Sequence, residues 1–258
     1  MASVIDSIRT VVTTKHSVLK MIFLAGAFAY PAYRIAFVQF DGWLTLWPIL
    51  TVLFLFYNIG FITCMVHNEV NDNVMLVPGL FNPLKYVAAG IGAVISILPM
   101  AALIGFAYYG LNQLGTVKSI PVAYTIAVIV LVEILLYAAL VTQLLMFAQK
   151  FNPLNAFNLI LMSRNFTDVL INTIKLIFVL CLFSAIFVIP IGIIVYKMFG
   201  LYSLGLLYYF TFVLILYLMI ALYFYGQIFM ENAAANIEVN YDEFVDNSGF
   251  GEQNLNND

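Results

Sequence analysis

The sequence contains few charged residues. Only 9% of its 258 residues are Asp, Glu, Lys or Arg, whereas 64% are hydrophobic, and the mean hydropathy is +1.02. A soluble domain is about 25% charged and about 45–50% apolar. A chain of this length cannot hide so much apolar surface from water. The composition therefore predicts an integral membrane protein whose solvent is the lipid bilayer.

Signatures of enzymes and of metal sites are also missing. His16 and His67 are the two histidines, and there is no H-E-x-x-H or C-x-x-C pattern, so we expect no metal. A phosphate-binding G-x-x-x-x-G-K-[ST] loop and a basic patch for nucleic acid are absent as well. Cys64 and Cys181 lie in apolar segments and are interpreted as small buried residues. We therefore expect neither an enzyme nor a cofactor.

Long apolar runs dominate the chain. Lipid offers no partners for backbone N–H and C=O groups, so a spanning segment must be a helix of about 20 residues or a barrel strand of about ten alternating residues. The runs are too long and too uniform for such strands, and the pattern predicts an all-α bundle of six transmembrane helices. They lie near residues 18–39, 43–66, 84–111, 120–148, 169–196 and 204–230. The first run, with "AGAFA" at 25–29, could instead be a cleaved signal peptide, but five further spans favour a transmembrane helix.

The distribution of Lys and Arg predicts the orientation. Six spans place both chain ends on one side, called here the inner side, together with seven basic residues: Arg9, Lys15, Lys20, Lys85, Lys150, Arg164 and Lys175. The outer side holds three, which are Arg34, Lys118 and Lys197. Because positive loops remain in the cytoplasm, we expect both termini to be cytoplasmic. Trp43 and Trp47 would then anchor the second span at the outer interface.

Two segments flank the membrane domain of residues 18–230. Residues 1–17 carry apolar residues at helical spacing, with Ser3 as a potential N-cap, and predict an amphipathic helix on the inner leaflet. Arg9 and Lys15 would lie near anionic headgroups, although a plain juxtamembrane lead is the alternative. Residues 231–258 hold seven acids and no Lys or Arg, which predicts a disordered cytoplasmic tail.

A short motif occurs twice, as "LFNPLKYV" (80–87) and "KFNPLNAF" (150–157). Proline favours the first turn of a helix, so each motif is expected to begin one. After the second motif, residues 153–168 predict a short interfacial helix with Arg164 at phosphate level. In the third span, Ala88, Gly92 and Ser96 form a stripe of small residues that favours close helix packing.

Glu133 is a carboxylate near the middle of the fourth span. It lies about 13 residues, or roughly 20 Å, from the outer end of that span. A charge there is unfavourable, so we expect Glu133 to be neutral, paired or facing water. Tyr137 shares its helix face, Arg34 is the candidate ion partner, and Asn58 is a further polar candidate. Glu133 either binds a proton, cation or amine, or forms a structural interhelical hydrogen bond.

Three segments resemble a known family: "YNIGFITCMVHNEVNDNVMLVPGLFNPLKYVAAGIGAVISILP" (57–99), "NAFNLILMSRNFTDVLINTIKLIFVLCLFSAIFVIPIG" (155–192) and "FYGQIFMENA" (224–233). They are similar to a family of uncharacterised prokaryotic six-helix membrane proteins. The resemblance implies a bacterial or archaeal plasma-membrane protein with no assigned catalytic residues. The chain departs from the family pattern where Phe61, not Tyr, follows Gly60.

Two functions fit these observations. The first is a non-enzymatic scaffold or partner subunit, bound to the bilayer and contacting another protein through its surface helices or acidic tail. The alternative is a small proton-, ion- or solute-coupled transporter or channel centred on Glu133, in which Pro99 and Pro190 interrupt two spans and allow gating.

Overall fold

The computed structural model describes residues 3–14, 16–37, 46–71, 77–115, 122–157 and 159–248. Within these residues the chain is helical and contains no strand. The α-helices are α1 (Val4–Thr13), α2 (Ser17–Phe37), α3 (Leu46–Val70), α4 (Pro83–Gly115), α5 (Val122–Lys150), α6 (Leu159–Phe183), α7 (Ile189–Phe199) and α8 (Leu204–Ser248). A 3-10 helix, Pro153–Phe157, precedes α6, and a π-helical turn, Ser184–Val188, joins α6 to α7.

The prediction of an all-α bundle with six spans is confirmed. Among the described residues, six helical segments are long and apolar enough to cross a membrane: Ser17–Phe37, Leu46–Val70, Pro83–Gly110, Ala127–Lys150, Phe166–Phe199 and Leu204–Glu231. Each predicted span overlaps one of them. The segment Phe166–Phe199, called here the fifth span, combines most of α6 with the π-helical turn and α7. Its helical form satisfies the backbone N–H and C=O groups that lipid leaves without partners, and its apolar side chains suit contact with lipid.

The bundle is packed tightly on the inner side and loosely on the outer side. Most residues of 57–66 in α3, 138–148 in α5 and 219–229 in α8 are buried. Towards the outer side, most residues of 98–110 in α4 and 181–199 in the fifth span are exposed. Apart from Lys197, these exposed side chains are apolar, as expected of surfaces that lipid or another transmembrane helix covers.

Two glycines bring the backbones of α3 and α4 together. A Cβ on Gly60 would lie 1.7 Å from the carbonyl oxygen of Tyr86, and a Cβ on Gly90 would lie 2.0 Å from that of Phe56. No side chain fits at either position, so both must be glycine. Small residues at such crossings allow dispersion contacts and Cα–H···O contacts between membrane helices.

The predicted stripe of small residues contacts α5 at Gly92. A Cβ on Gly92 would lie 2.7 Å from the ring of Phe147, so the missing side chain makes room for that ring. Ser96 is buried, and its hydroxyl donates a hydrogen bond of 2.8 Å to the carbonyl oxygen of Gly92. Ala88 remains exposed. The stripe therefore receives an aromatic side chain of α5, whereas the closest backbone contact of α4 uses Gly90.

The helix predicted near the N-terminus is α1, and the Ser3 side chain caps it by accepting from the backbone N–H of Asp6 (3.4 Å). α1 packs on α8, and its placement on the inner leaflet stays a prediction. Val4, Ser7 and Val11 are buried, and the Ser7 hydroxyl donates to Oε1 of Gln227 at 3.4 Å. Gln227 lies in the candidate span Leu204–Glu231, so α1 packs on the inner end of that span.

The second predicted surface helix, residues 153–168, is not a separate element. After the 3-10 helix, α6 begins at Leu159 and continues without a break into the fifth span. The polar residues after 153 suggested a separate interfacial helix. Most of them instead belong to the first turns of α6, because one continuous helix forms without the cost of a second nucleation. Arg9 is exposed on α1. Lys15 and the side chain of Arg164 lie outside the described residues, as does Trp43.

α8 is longer than the predicted sixth span. It runs to Ser248, so residues 231–248 are helical where the sequence predicts a disordered tail. Helix propagation adds one hydrogen bond per residue without a nucleation cost, and Ala233, Ala234 and Ala235 have the highest intrinsic helix propensity. The expectation of disorder was based on charge and composition, which do not show that the helix of the sixth span continues. Residues 249–258 lie outside the described part of the chain.

Candidate functional site

Glu133 lies on the surface of α5, in the loosely packed outer half of the bundle. Its side chain is exposed, and Leu131 beside it is 60% exposed. No hydrogen bond or ion pair joins Glu133 to another described residue. Glu133 lines neither the cavity between α2, α3 and α8 nor the groove between α4 and α5. The carboxyl group is therefore available to a ligand or a partner that lies outside the packed core.

Tyr137 lies one helical turn from Glu133, on the same face of α5. It is 37% exposed and lies within electrostatic reach of Tyr225 on α8. Tyr225 is fully buried and shares a hydrogen bond of 2.7 Å with the hydroxyl of Thr173 on α6. The bond between Tyr225 and Thr173 connects α8 to α6 and does not include Glu133.

The structure does not bring Arg34 to Glu133. The guanidinium carbon of Arg34 lies 5.4 Å from the centroid of the Trp47 ring, a cation–π geometry that joins α2 to α3. Tyr30 packs edge-on against the same ring at 5.6 Å. Trp47 therefore contacts Arg34 near the outer end of both helices, and no ion pair joins Arg34 to Glu133.

Asn58 is a buried contact between α3 and α2. Its side-chain amide donates to the carbonyl oxygen of Leu24 at 3.4 Å, which connects the two helices. Its Oδ1 atom has no hydrogen-bond partner among the described residues, and the same holds for Oε1 of the buried Gln143 on α5. Asn58 is thus separate from Glu133 and acts as an interhelical contact.

Tyrosines of α8 form a set of contacts that the sequence did not reveal. Tyr217 bonds to the hydroxyl of Ser184, and the Tyr209 hydroxyl donates to the carbonyl oxygen of Val188. Both partners lie in the π-helical turn of the fifth span. In the sequence, three tyrosines of α8 are spaced eight residues apart, at Tyr209, Tyr217 and Tyr225. This spacing places them on a similar face of the helix, but their hydrogen-bond partners could be identified only from the packing of the helices.

Pro190 explains the position of the π-helical turn. Proline lacks the N–H that a helix needs and clashes with the preceding turn, so the hydrogen-bond pattern before it must change. The turn ends at Val188, and α7 begins at Ile189. By contrast, Pro31 and Pro99 lie inside α2 and α4, which continue past them. The predicted interruption is therefore present at Pro190, whereas α4 is unbroken.

His67 caps the inner end of α5. Its Nδ1 atom lies 2.7 Å from the carbonyl oxygen of Ala148 and donates to it, and its ring stacks on Phe151 at 4.4 Å. The Asn71 side-chain amide donates to the carbonyl oxygen of Gln149 at 3.4 Å. These contacts satisfy carbonyl groups that the end of a helix leaves without partners. His67 and Asn71 thus connect α3 to α5 structurally.

The described residues contain no group of three or more His, Cys, Asp and Glu side chains that could hold a metal ion. Cys64 is a buried free thiol and Cys181 an exposed one.

The chain was also compared with known proteins. No family model, no curated protein and no solved structure matches the chain.

Proposed function

We propose that this membrane protein is a non-enzymatic subunit that binds a transmembrane helix of a partner protein through the surface around Glu133. The observation that supports the proposal is the exposure of this carboxyl group near the middle of a membrane span. An acidic side chain at that depth destabilises an isolated helix by about 3 kcal/mol on insertion scales. A partner that donates a hydrogen bond offsets part of this penalty.

The surroundings of Glu133 suit a helix–helix contact. Val128, Val130 and Leu131 are exposed apolar residues on the same stretch of α5. A helix against them would gain dispersion contacts, and its donor would reach the carboxyl group. Interhelical hydrogen bonds of this kind contribute about 0.6–2 kcal/mol each. The fifth span offers further surface, since none of its most apolar stretch is buried.

Photo-crosslinking tests the proposal in native membranes. A photoreactive amino acid in place of Leu131 should give one discrete adduct with a partner. The matched control is the same replacement of Ile49, which is 56% exposed on a different helix, α3. We expect lipid adducts alone from the control. Lipid adducts alone from both positions would contradict the proposal.

The chemistry of the contact is tested by two substitutions of Glu133. Glu133→Gln keeps a neutral group that forms hydrogen bonds and should preserve the Leu131 adduct. Glu133→Leu removes the hydrogen bond and should lower the adduct yield about three- to tenfold, since a contact of about 0.6–1.4 kcal/mol is lost. Equal yields from both variants would show that the carboxyl group does not hold the partner.

Transport is the second candidate. The observation in its favour is the π-helical turn before Pro190, because π-turns are frequent at functional sites and this one contacts the tyrosines of α8. Purified protein in liposomes would then carry a proton or solute flux that Glu133→Gln abolishes. Such a result would favour transport over the subunit proposal. Absence of flux from the parent protein in a broad solute panel would exclude transport.

A further inference from the structure

The two copies of the F-N-P-L motif meet on the inner side of the bundle. The first copy precedes α4 and the second follows α5, and the 3-10 helix of the second packs against α4. Lys85 comes from the first copy, and Phe151 and Pro153 come from the second. Together they border a groove of about 290 Å³ between α4 and α5. Its remaining lining residues are Ala88, Ala89, Gly92 and Phe147.

Both motifs expose large apolar side chains beside this groove. Phe81 is 99% exposed, Leu84 is 84% exposed and Leu154 is 78% exposed. Exposure of three such side chains to water is unfavourable, since each Å² of exposed apolar surface costs about 25 cal/mol. They occur where the third span begins, at Pro83, and where the fourth ends, at Lys150. This is the depth at which apolar side chains insert between headgroups and acyl chains.

Positive charge lies at the same depth. Lys85 lines the groove, and Lys150 ends α5 one residue before Phe151. No acidic residue lines the groove. A lysine in the first turn of a span extends its ammonium group towards the headgroups, where it attracts anionic lipid. The groove therefore combines an apolar floor with a cationic rim.

We propose that this groove binds one anionic phospholipid from the inner-side leaflet. The Lys85 ammonium group contacts the lipid phosphate, and the upper part of one acyl chain lies over Ala88 and Gly92. The small side chains of Ala88 and Ala89 leave the space that the chain fills, and Phe151 lines the groove together with the Phe147 ring that packs on Gly92. Leu84 and Leu154 enter the leaflet on either side. The site is independent of Glu133 and of the partner proposed above.

Native mass spectrometry of the full chain tests this site. The protein is purified in detergent and titrated with phosphatidylglycerol or phosphatidylcholine of identical acyl chains. We expect the parent protein to retain one phosphatidylglycerol in preference to phosphatidylcholine. Lys85→Gln should lower that preference about fivefold, the effect of removing one lysine charge at a lipid surface (about 1 kcal/mol). Lys85 is exposed, so the substitution does not disturb the core.

The matched control for charge is Lys175→Gln. Lys175 is also exposed on the inner side, where it donates to Oδ1 of Asn172 at 3.3 Å, and it does not line the groove. This variant should keep the lipid preference of the parent protein. An equal loss from both variants would show that phosphatidylglycerol responds to general surface charge, and no loss from Lys85→Gln would exclude the site.

Filling the groove tests the acyl-chain contact. Ala88 is exposed, so Ala88→Phe places a ring in the groove without adding volume to the core. We expect this variant to lose the retained lipid while its thermal midpoint without added lipid stays near that of the parent. A soluble competitor, glycerol 3-phosphate, should displace no lipid at millimolar concentration. Retained lipid in Ala88→Phe, or displacement by the soluble phosphate, would overturn the proposal.

Discussion

Gly60 and Gly90 are the residues at which the structure tolerates least change. Gly60 faces backbone atoms of α4, which cannot move aside as a flexible side chain can. Even one methyl group there forces the two helices apart. The sequence shows both glycines within apolar spans, but nothing in their spacing identifies them as partners.

Replacement of Gly60 by Ala should lower the free energy of unfolding by about 2–3 kcal/mol, as expected when extra volume is forced into a packed contact. Gly105→Ala is the matched control, because no atom lies within 4 Å of the added Cβ on that exposed part of α4. The control should stabilise the helix by up to about 1 kcal/mol. Denaturant titration in mixed micelles measures both, and equal effects would contradict the close contact.

The candidate site was predictable only in part at the residue scale. Glu133 and Tyr137 share a helix face, as the spacing indicates, because both belong to one continuous helix. The pairing of Arg34 with Glu133 depended on which helices are neighbours and on the position of Trp47. A sequence contains no direct information about either. The same limit explains why the contact between Tyr225 and Thr173 was missed.

At the scale of the element, α1 shows what an amphipathic pattern predicts and what it leaves open. Val11 is fully buried against the bundle, whereas the next residue, Val12, is 41% exposed. An apolar stripe indicates which face is covered but not whether lipid or protein covers it. Here α8 contributes most of the covering surface, with smaller contributions from α2 and α6.

The position of α1 is tested by two neighbouring substitutions. Val11→Asn buries an amide without partners and should destabilise the protein by about 1–3 kcal/mol. Val12→Asn changes an exposed position and should have an effect below about 0.5 kcal/mol. Thermal midpoints of the two purified variants measure the difference. A larger effect from Val12→Asn would place the opposite face of α1 against the bundle.

At the same scale, the six spans were predictable because lipid imposes a simple rule on their length and composition. The ends of α6 and α8 were not, because their extensions beyond the membrane depend on helix propagation and on neighbouring helices. Polar composition alone suggested an interfacial helix at 153–168 and disorder at 231–258. Both inferences ignored that a long apolar helix can continue into polar sequence.

The placement of Lys and Arg predicts the orientation of the whole molecule, and this prediction is open to direct test. Tyr202 lies in the turn between α7 and α8 on the outer side, and Asn152 follows α5 on the inner side; both are exposed. A membrane-impermeant maleimide should label Tyr202→Cys in intact cells and Asn152→Cys only after permeabilisation. The unmodified protein is the control, since Cys64 is buried and Cys181 lies within the fifth span. The reverse pattern would contradict cytoplasmic termini.

The contact between Gly60 and Gly90 lies in the tightly packed inner half of the bundle. Two helices whose backbones touch cannot slide past each other without a collision of carbonyl groups, so this contact fixes the register of α3 against α4. At no other described glycine does an added Cβ meet the backbone of another helix within 3 Å. Glu133 belongs to the loosely packed outer half of α5, where no glycine imposes such a register.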